Sequence, residues 1–133
     1  MKFWLIKSEP STYSIDDLKK DCRTSWNGVR NYQARNFMRD SMKKGDQVLF
    51  YHSNAEPPGV AGIAEVIKEG YPEKAGWVMV DVAFVKKFKR FVPLDELKAN
   101  KNLEGLLVIK RGMRLSVQPV EKVHFDEVVR LQC

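Results

Sequence analysis

The feature that most constrains the fold is a long alternating stretch in the second half of the chain. Between positions 77 and 88, apolar side chains recur at every second residue, which is the pattern of a β-strand with two different faces. Basic and aromatic residues continue the stretch through positions 86–91. Together with the β-rich segment 59–68 that precedes it, this strand favours long antiparallel pairs in the middle of a sheet.

Shorter strands and helices surround this pair. Further strands are predicted at 2–7, 47–52 and 115–120, where Pro119 makes the last an edge strand because proline cannot donate to a ladder. Helices are predicted at 15–20, 32–42, 93–100 and 121–131, and residues 23–30 are predicted to be irregular. The pattern predicts one α+β domain over residues 1–133, a small curled mixed β-barrel of about five to six strands with short flanking helices.

Composition restricts the class of protein. Apolar residues make up 44% of the 133 residues and charged residues 30%, which is typical of a soluble chain with a real core. Its apolar runs are too short to cross a bilayer or to form a signal sequence, so we expect a cytoplasmic protein without membrane contact. Cys22 and Cys133 are expected to be free thiols, and without a cysteine–histidine cluster we expect no metal and no cofactor.

The net charge of +6 favours an anionic partner. A basic surface is also a common way to keep a protein in solution, so charge alone leaves both interpretations open. The most polar aromatic run, residues 26–37, favours the anionic partner. It contains two large aromatics, two arginines, three asparagines and a glutamine. Such a mixture of flat rings with amide and guanidinium donors suits a surface that binds a nucleotide.

Candidate base-binding residues come from this run and from the ends of two strands. Trp26 would stack on a base, although a core tryptophan is the alternative, whereas Trp4 is expected in the core and Trp77 is interpreted as structural. Asn31 would hydrogen-bond a base edge or simply cap the second helix. The predicted base pocket comprises Lys7, Ser8, Trp26, Asn31, Tyr32, Tyr51, His52, Ser53 and Asn54.

Neighbouring strand residues point to opposite faces, so Tyr51 and His52 line one pocket only if the strand bends. Basic side chains outside the pocket are candidate phosphate contacts, with ordinary solvated surface as the alternative for each of them. Collectively they predict salt-dependent binding. The candidates are Arg30, Arg35, Arg39, Lys86, Lys87 and Arg90.

Several motifs resemble those of one known family. They are the run from Trp4 to Pro10, the run 26–37, the segment 51–54 with the following glycines, and residues 114–119. With these motifs in this order, the chain resembles an EVE domain, in the PUA-like group of small barrels. The fold is also similar to that of the YTH domain, which recognises methylated adenine in RNA. The resemblance implies recognition of a modified base, with modified cytosine in DNA the usual proposal.

These observations predict a non-catalytic, monomeric protein that binds nucleic acid. A modified base would enter a pocket walled by Trp26 and a second ring such as Tyr32 or Tyr51. Recognition of an RNA modification, a small nucleotide ligand or a protein partner remains open. An enzyme acting on a modified nucleotide is the further alternative, and His52 would be its first candidate residue.

Overall fold

The computed structural model describes residues 1–132, so the predicted free thiol of Cys133 lies outside the described residues. The strands are β1 (Phe3–Ser8), β2 (Arg23–Trp26), β3 (Gln47–His52), β4 (Gly59–Pro72), β5 (Val78–Pro93) and β6 (Val117–Val120). The α-helices are α1 (Ile15–Asp21), α2 (Tyr32–Asp40), α3 (Leu94–Ala99) and α4 (Lys122–Leu131). Short 3₁₀ turns occur at Lys74–Gly76, Lys101–Leu103 and Leu107–Ile109.

The strands form one mixed sheet in the order β2-β5-β4-β3-β1-β6. β1 and β3 are parallel, while the other neighbouring pairs are antiparallel. β4 and β5 span 14 and 16 residues, and their register shifts at several points. Such irregularities increase local twist and allow a long pair to curl. The predicted α+β class, with a curled sheet and short flanking helices, is confirmed.

The prediction that residues 23–30 are irregular is wrong for the first four of them. Arg23–Trp26 forms β2, an edge strand that pairs with β5 and places Trp26 opposite Val80. Its sequence has no strong apolar alternation, so the pairing depends on β5 and on side-chain contacts. Ser25 Oγ lies 3.1 Å from the hydroxyl of Tyr71, which donates to Asp81 at 2.5 Å.

The sheet separates two hydrophobic cores. The inner core lies within the curl, where Trp4, Ile6 and Phe50 pack with Leu18 of α1 and Met38 of α2. Trp4 is buried as expected, and its indole Nε1 donates to Asp46 at 2.9 Å. The outer core lies between the other face of the sheet and the segments α3, α4 and 103–109. Alternate side chains of one strand therefore face different cores. Only the side chains on one face can line a site on that side of the sheet.

A glycine in β4 marks a close backbone approach, a common role for glycine within a strand. A Cβ atom on Gly62 would lie 2.4 Å from the carbonyl oxygen of Lys86 and 2.8 Å from the Ile15 side chain. The groups that approach Gly62 are thus the backbone of β5 and the side chain of Ile15, the first residue of α1. This contact packs the start of α1 against β4 and β5.

Candidate functional site

A hollow of about 520 Å³ opens where the two ends of the curled sheet approach each other. β2 and β6 are opposite edge strands, yet Trp26 of β2 and Ser116, the residue before β6, line the same hollow. Its volume lies within the range of about 300–1,000 Å³ that is usual for ligand pockets. The lining comprises Lys7, Ser8, Glu9, Thr12, Tyr13, Thr24, Ser25, Trp26, Asn27, Gly28, Val29, Arg30 and Ser116.

Trp26 forms the aromatic wall of this hollow. The ring is half-buried, and Phe50 of the inner core packs edge-on against it at a centroid distance of 5.6 Å. Tyr13 contacts it in a similar arrangement at 6.2 Å. The indole is therefore held between a core ring and a rim ring while it still lines the open space. A ring held in this way needs little reordering before a ligand stacks on it.

Polar groups surround the aromatic wall. Ser8 Oγ donates to the carbonyl oxygen of Tyr13 at 2.5 Å, and Lys7 Nζ donates to that of Met113 at 3.0 Å. Burial lowers the pKa of the Lys7 ammonium group from its ordinary value. Burial and the hydrogen bond to Asp21 raise the pKa of Tyr13 to about 12, so its hydroxyl stays a donor at neutral pH. The Ser8 and Tyr13 hydroxyls thus already donate their single hydrogens, whereas the Lys7 ammonium keeps further N–H donors beside the flat ring.

Glu73 holds the segment that follows Trp26. Its carboxylate accepts two hydrogen bonds from the Arg30 guanidinium, at 2.9 and 3.0 Å, and one from the backbone N–H of Gly28 at 3.3 Å. The Arg30 contact lowers the pKa of Glu73. Gly28 has a φ of +77°, a conformation that glycine adopts readily. The segment 27–30 is therefore a fixed wall of the hollow.

Three predicted residues line the hollow together with the predicted phosphate contact Arg30. They are Lys7, Ser8 and Trp26. Tyr51 does not belong to this group and is corrected: its side chain is 3% exposed and packs in the outer core. The alternation of β3 explains the difference, because Phe50 faces the inner core and Tyr51 the opposite side.

The other predicted pocket residues near the end of β3 are His52, Ser53 and Asn54. His52 Nε2 accepts a hydrogen bond from the backbone N–H of Ile15 at 3.1 Å, at the start of α1. Burial lowers the pKa of His52. Ser53 donates its backbone N–H to Ser8 at 2.9 Å, and Asn54 takes a positive φ of 50° in the following loop. None of the three side chains lines the hollow.

Asn31 and Tyr32 also lie outside the hollow. Asn31 Oδ1 accepts from the backbone N–H of Ala34 at 3.0 Å and caps α2. Tyr32 is 66% exposed and stacks on Trp77 with ring centroids 4.9 Å apart and an interplanar angle of 21°. Trp77, interpreted from the sequence as structural, is thus the half-buried partner of an exposed tyrosine ring. We call Tyr32, Trp77 and the adjacent Arg35 the aromatic platform.

Most of the predicted phosphate contacts are already paired with carboxylates. Arg30 binds Glu73, Arg39 binds Asp40, Lys87 binds Asp16 and Arg90 binds Glu96. Within residues 1–132, Arg35 and Lys86 form no ion pair. Arg35 instead donates to the amide oxygen of Asn36 and lies 4.9 Å from the Tyr32 ring centroid.

Sequence reasoning missed several residues that shape the site. Thr12 and Tyr13 enter the lining only because the sheet curls, and no local pattern marks them. Ser116 lies within the motif 114–119, but the motif by itself did not assign it to the pocket. Asn27 and Gly28 lay inside the polar aromatic run and were within reach of that signal. In the described residues, no three His, Cys, Asp or Glu side chains are grouped as metal ligands would be. No helix in residues 1–132 is both long enough and apolar enough to span a bilayer.

Comparison with known proteins places this arrangement in a family. The family model described as "EVE domain" matches residues 2–131. The chain belongs to the EVE domain family. It is 42% identical to human thymocyte nuclear protein 1 over an alignment of 165 residues, which covers 97% of this chain and 73% of that protein.

Solved structures agree with this assignment. The crystal structure of human THYN1 in complex with 5-methylcytosine-containing DNA has a TM-score of 0.90 at 39% identity and covers 99% of this chain and 98% of that chain. The YTH domain of Zygosaccharomyces rouxii MRB1, in complex with N6-methyladenosine RNA, has a TM-score of 0.60 at 16% identity and covers 98% and 86%. The second likeness concerns the fold, as the sequence resemblance implied.

Proposed function

We propose that this EVE domain is a non-catalytic reader of a modified base in nucleic acid, with modified cytosine in DNA as the favoured ligand. The observation that carries the proposal is the hollow of about 520 Å³ beside Trp26. The related human protein was crystallised with 5-methylcytosine-containing DNA, which supports the same ligand class here.

In this proposal the base leaves its stack and lies against the Trp26 indole. Stacking on an aromatic side chain contributes about 1–3 kcal/mol per base. Ser8, Lys7 and the backbone of the segment 27–30 supply hydrogen bonds to the polar edge of the base. These groups line the hollow already, so the site requires no large rearrangement.

The modification itself contributes a modest free energy. Burying one methyl group is worth about 0.8 kcal/mol, and a fitted pocket raises the difference to about 1–3 kcal/mol. Extrusion of a base from a duplex costs a few kcal/mol. We therefore expect discrimination of roughly tenfold to two-hundredfold, with much of the affinity supplied by contacts to phosphates.

A binding array of modified oligonucleotides tests the proposal. It should carry cytosine and adenine marks in both DNA and RNA, with matched plain strands, at two salt concentrations. We expect the wild type to prefer one modified base and Trp26→Ala to lose that preference. Because Trp26 also packs against Phe50, Trp26→Phe serves as a better-folded companion, and urea unfolding reports whether each variant is folded.

The outcomes distinguish the proposed function from its alternatives. Equal affinity for plain and modified strands of every type would remove the proposal. A preference for a modified base in RNA would support recognition of a modified base but would show that the ligand is RNA and not DNA. Turnover of a modified nucleotide by the wild type would contradict the non-catalytic assignment.

A further inference from the structure

The aromatic platform is an unexplained exposed feature close to the hollow. Tyr32 and Trp77 come from α2 and from the residue before β5, and they stack with nearly parallel rings. Tyr32 is nevertheless 66% exposed. A single exposed aromatic is unremarkable, but a stacked pair beside two guanidinium groups has the composition of a nucleic-acid-binding surface.

The outer face of the Tyr32 ring is open. The guanidinium carbon of Arg35 lies 4.9 Å from the Tyr32 centroid and 5.8 Å from that of Trp77, which is itself 4.9 Å from Tyr32. A cation that covered the outer face of Tyr32 would lie about twice the ring separation away from Trp77. Arg35 therefore sits beside the stack, and a flat group can add to Tyr32 without displacing it.

Arg30 connects the platform to the hollow. It lines the hollow, and its guanidinium carbon lies 5.2 Å from the Trp77 centroid. The side chain is held in this position by the two hydrogen bonds to Glu73. The platform thus adjoins the wall of the hollow that Arg30 forms. A nucleic-acid strand with one base in the hollow would place its neighbouring nucleotide near the platform.

Resting on the proposed function, we infer that the platform stacks the base next to the modified base on the same strand. The neighbouring base lies on the Tyr32 ring, and Arg35 contacts the phosphate between the two nucleotides. Arg35 forms no ion pair within residues 1–132, whereas Arg30 is engaged by Glu73. A second protein is a poorer occupant, since a stable interface needs about 800 Å² per partner and the platform is two rings wide.

This role predicts affinity without sequence preference. Every base has a flat face, so stacking on Tyr32 adds binding free energy whichever base follows the modified one. Discrimination between modified and plain bases remains with the hollow. The two contributions are therefore separable by experiment.

A double-mutant cycle between the platform and the strand tests the inference. The probe is a single-stranded DNA oligonucleotide with one 5-methylcytosine, compared with versions that carry an abasic site on its 5′ or its 3′ side. We expect Tyr32→Ala to weaken binding of the intact strand by about five- to 150-fold. One of the abasic strands should show a similar loss with the wild type and little further loss with Tyr32→Ala.

Two control variants accompany the cycle. Tyr32→Phe keeps the ring and should bind like the wild type, and Val123→Ala removes an exposed apolar side chain elsewhere on the surface. The inference would be overturned if Tyr32→Ala bound the intact strand with wild-type affinity. It would also be overturned if the loss from Tyr32→Ala and the loss from the abasic site were additive for both abasic strands. The ratio of affinities for modified and plain strands is measured in parallel. A wild type without any preference would overturn the proposed function. A wild-type preference for the modified strand together with unchanged affinity in Tyr32→Ala would overturn only the role of the platform.

Discussion

Two polar side chains, His52 and Asn31, accept hydrogen bonds from the backbone at the starts of helices. His52 Nε2 accepts from Ile15 at the start of α1, and Asn31 Oδ1 accepts from Ala34 at the start of α2. Backbone N–H groups at helix N-termini lack partners within the helix, so side-chain acceptors stabilise them. The positions of His52 and Asn31 are therefore explained by the backbone N–H groups that they satisfy.

His52 should make stability depend on pH. Burial lowers its pKa below the ordinary value of 6.5, so the unfolded chain binds the proton first as the pH falls. The stabilisation is complete above pH 6.5 and is lost as the pH falls through the folded-state pKa. Protonation also removes the Nε2 acceptor from Ile15.

Urea unfolding between pH 8 and pH 5 checks this prediction. His52→Gln keeps an acceptor within the side chain and does not titrate, so it is the matched control. We expect the wild type to lose more stability than the variant over this range. Parallel curves for the two proteins would show that His52 does not contribute.

At the scale of elements, sequence patterns predict long strands better than short ones. β5 is predictable because its apolar residues alternate over many positions and impose one strand period. β2 was missed because its four residues have no such alternation, and its pairing partner is more than fifty positions away. The hollow depends on β2 meeting the opposite end of the sheet, so its lining was only partly predictable.

The start of α2 offers a test that separates capping from ligand binding. Asn31→Ala removes the side-chain acceptor, and we expect the free energy of unfolding to fall by about 1 kcal/mol. Asn31→Asp retains the acceptor and should keep most of the stability. The preference for a modified over a plain oligonucleotide should remain unchanged in both, since Asn31 does not line the hollow. A loss of base preference in folded Asn31→Asp would return Asn31 to the site.

For the whole molecule, net charge overstates the number of available cations. The chain carries a net charge of +6, but four of the six predicted phosphate contacts already pair with carboxylates. Exposed ion pairs of this kind contribute little to stability. The paired carboxylates nevertheless weaken the electrostatic attraction between each cation and a phosphate. The pairing state of a cation therefore matters for its contribution to binding.

Arg35 and Arg39 form a matched pair on α2 for measuring this effect. Arg35 forms no ion pair within residues 1–132, whereas Arg39 donates two hydrogen bonds to Asp40. We expect Arg35→Ala to reduce the slope of log affinity against log salt by about 0.7 for single-stranded DNA. Arg39→Ala should leave the slope nearly unchanged. Equal effects of the two substitutions would show that the ion pair does not distinguish them.

The central claim is that the hollow beside Trp26 receives the modified base, and the three indole N–H signals test it directly. In a titration of the ¹⁵N-labelled protein with 5-methylcytosine DNA, the Trp26 signal should shift saturably and more than with plain DNA. The Trp4 signal is the internal reference, because that indole is buried and bonded to Asp46. An unmoved Trp26 signal, while other residues show that DNA is bound, would contradict the account.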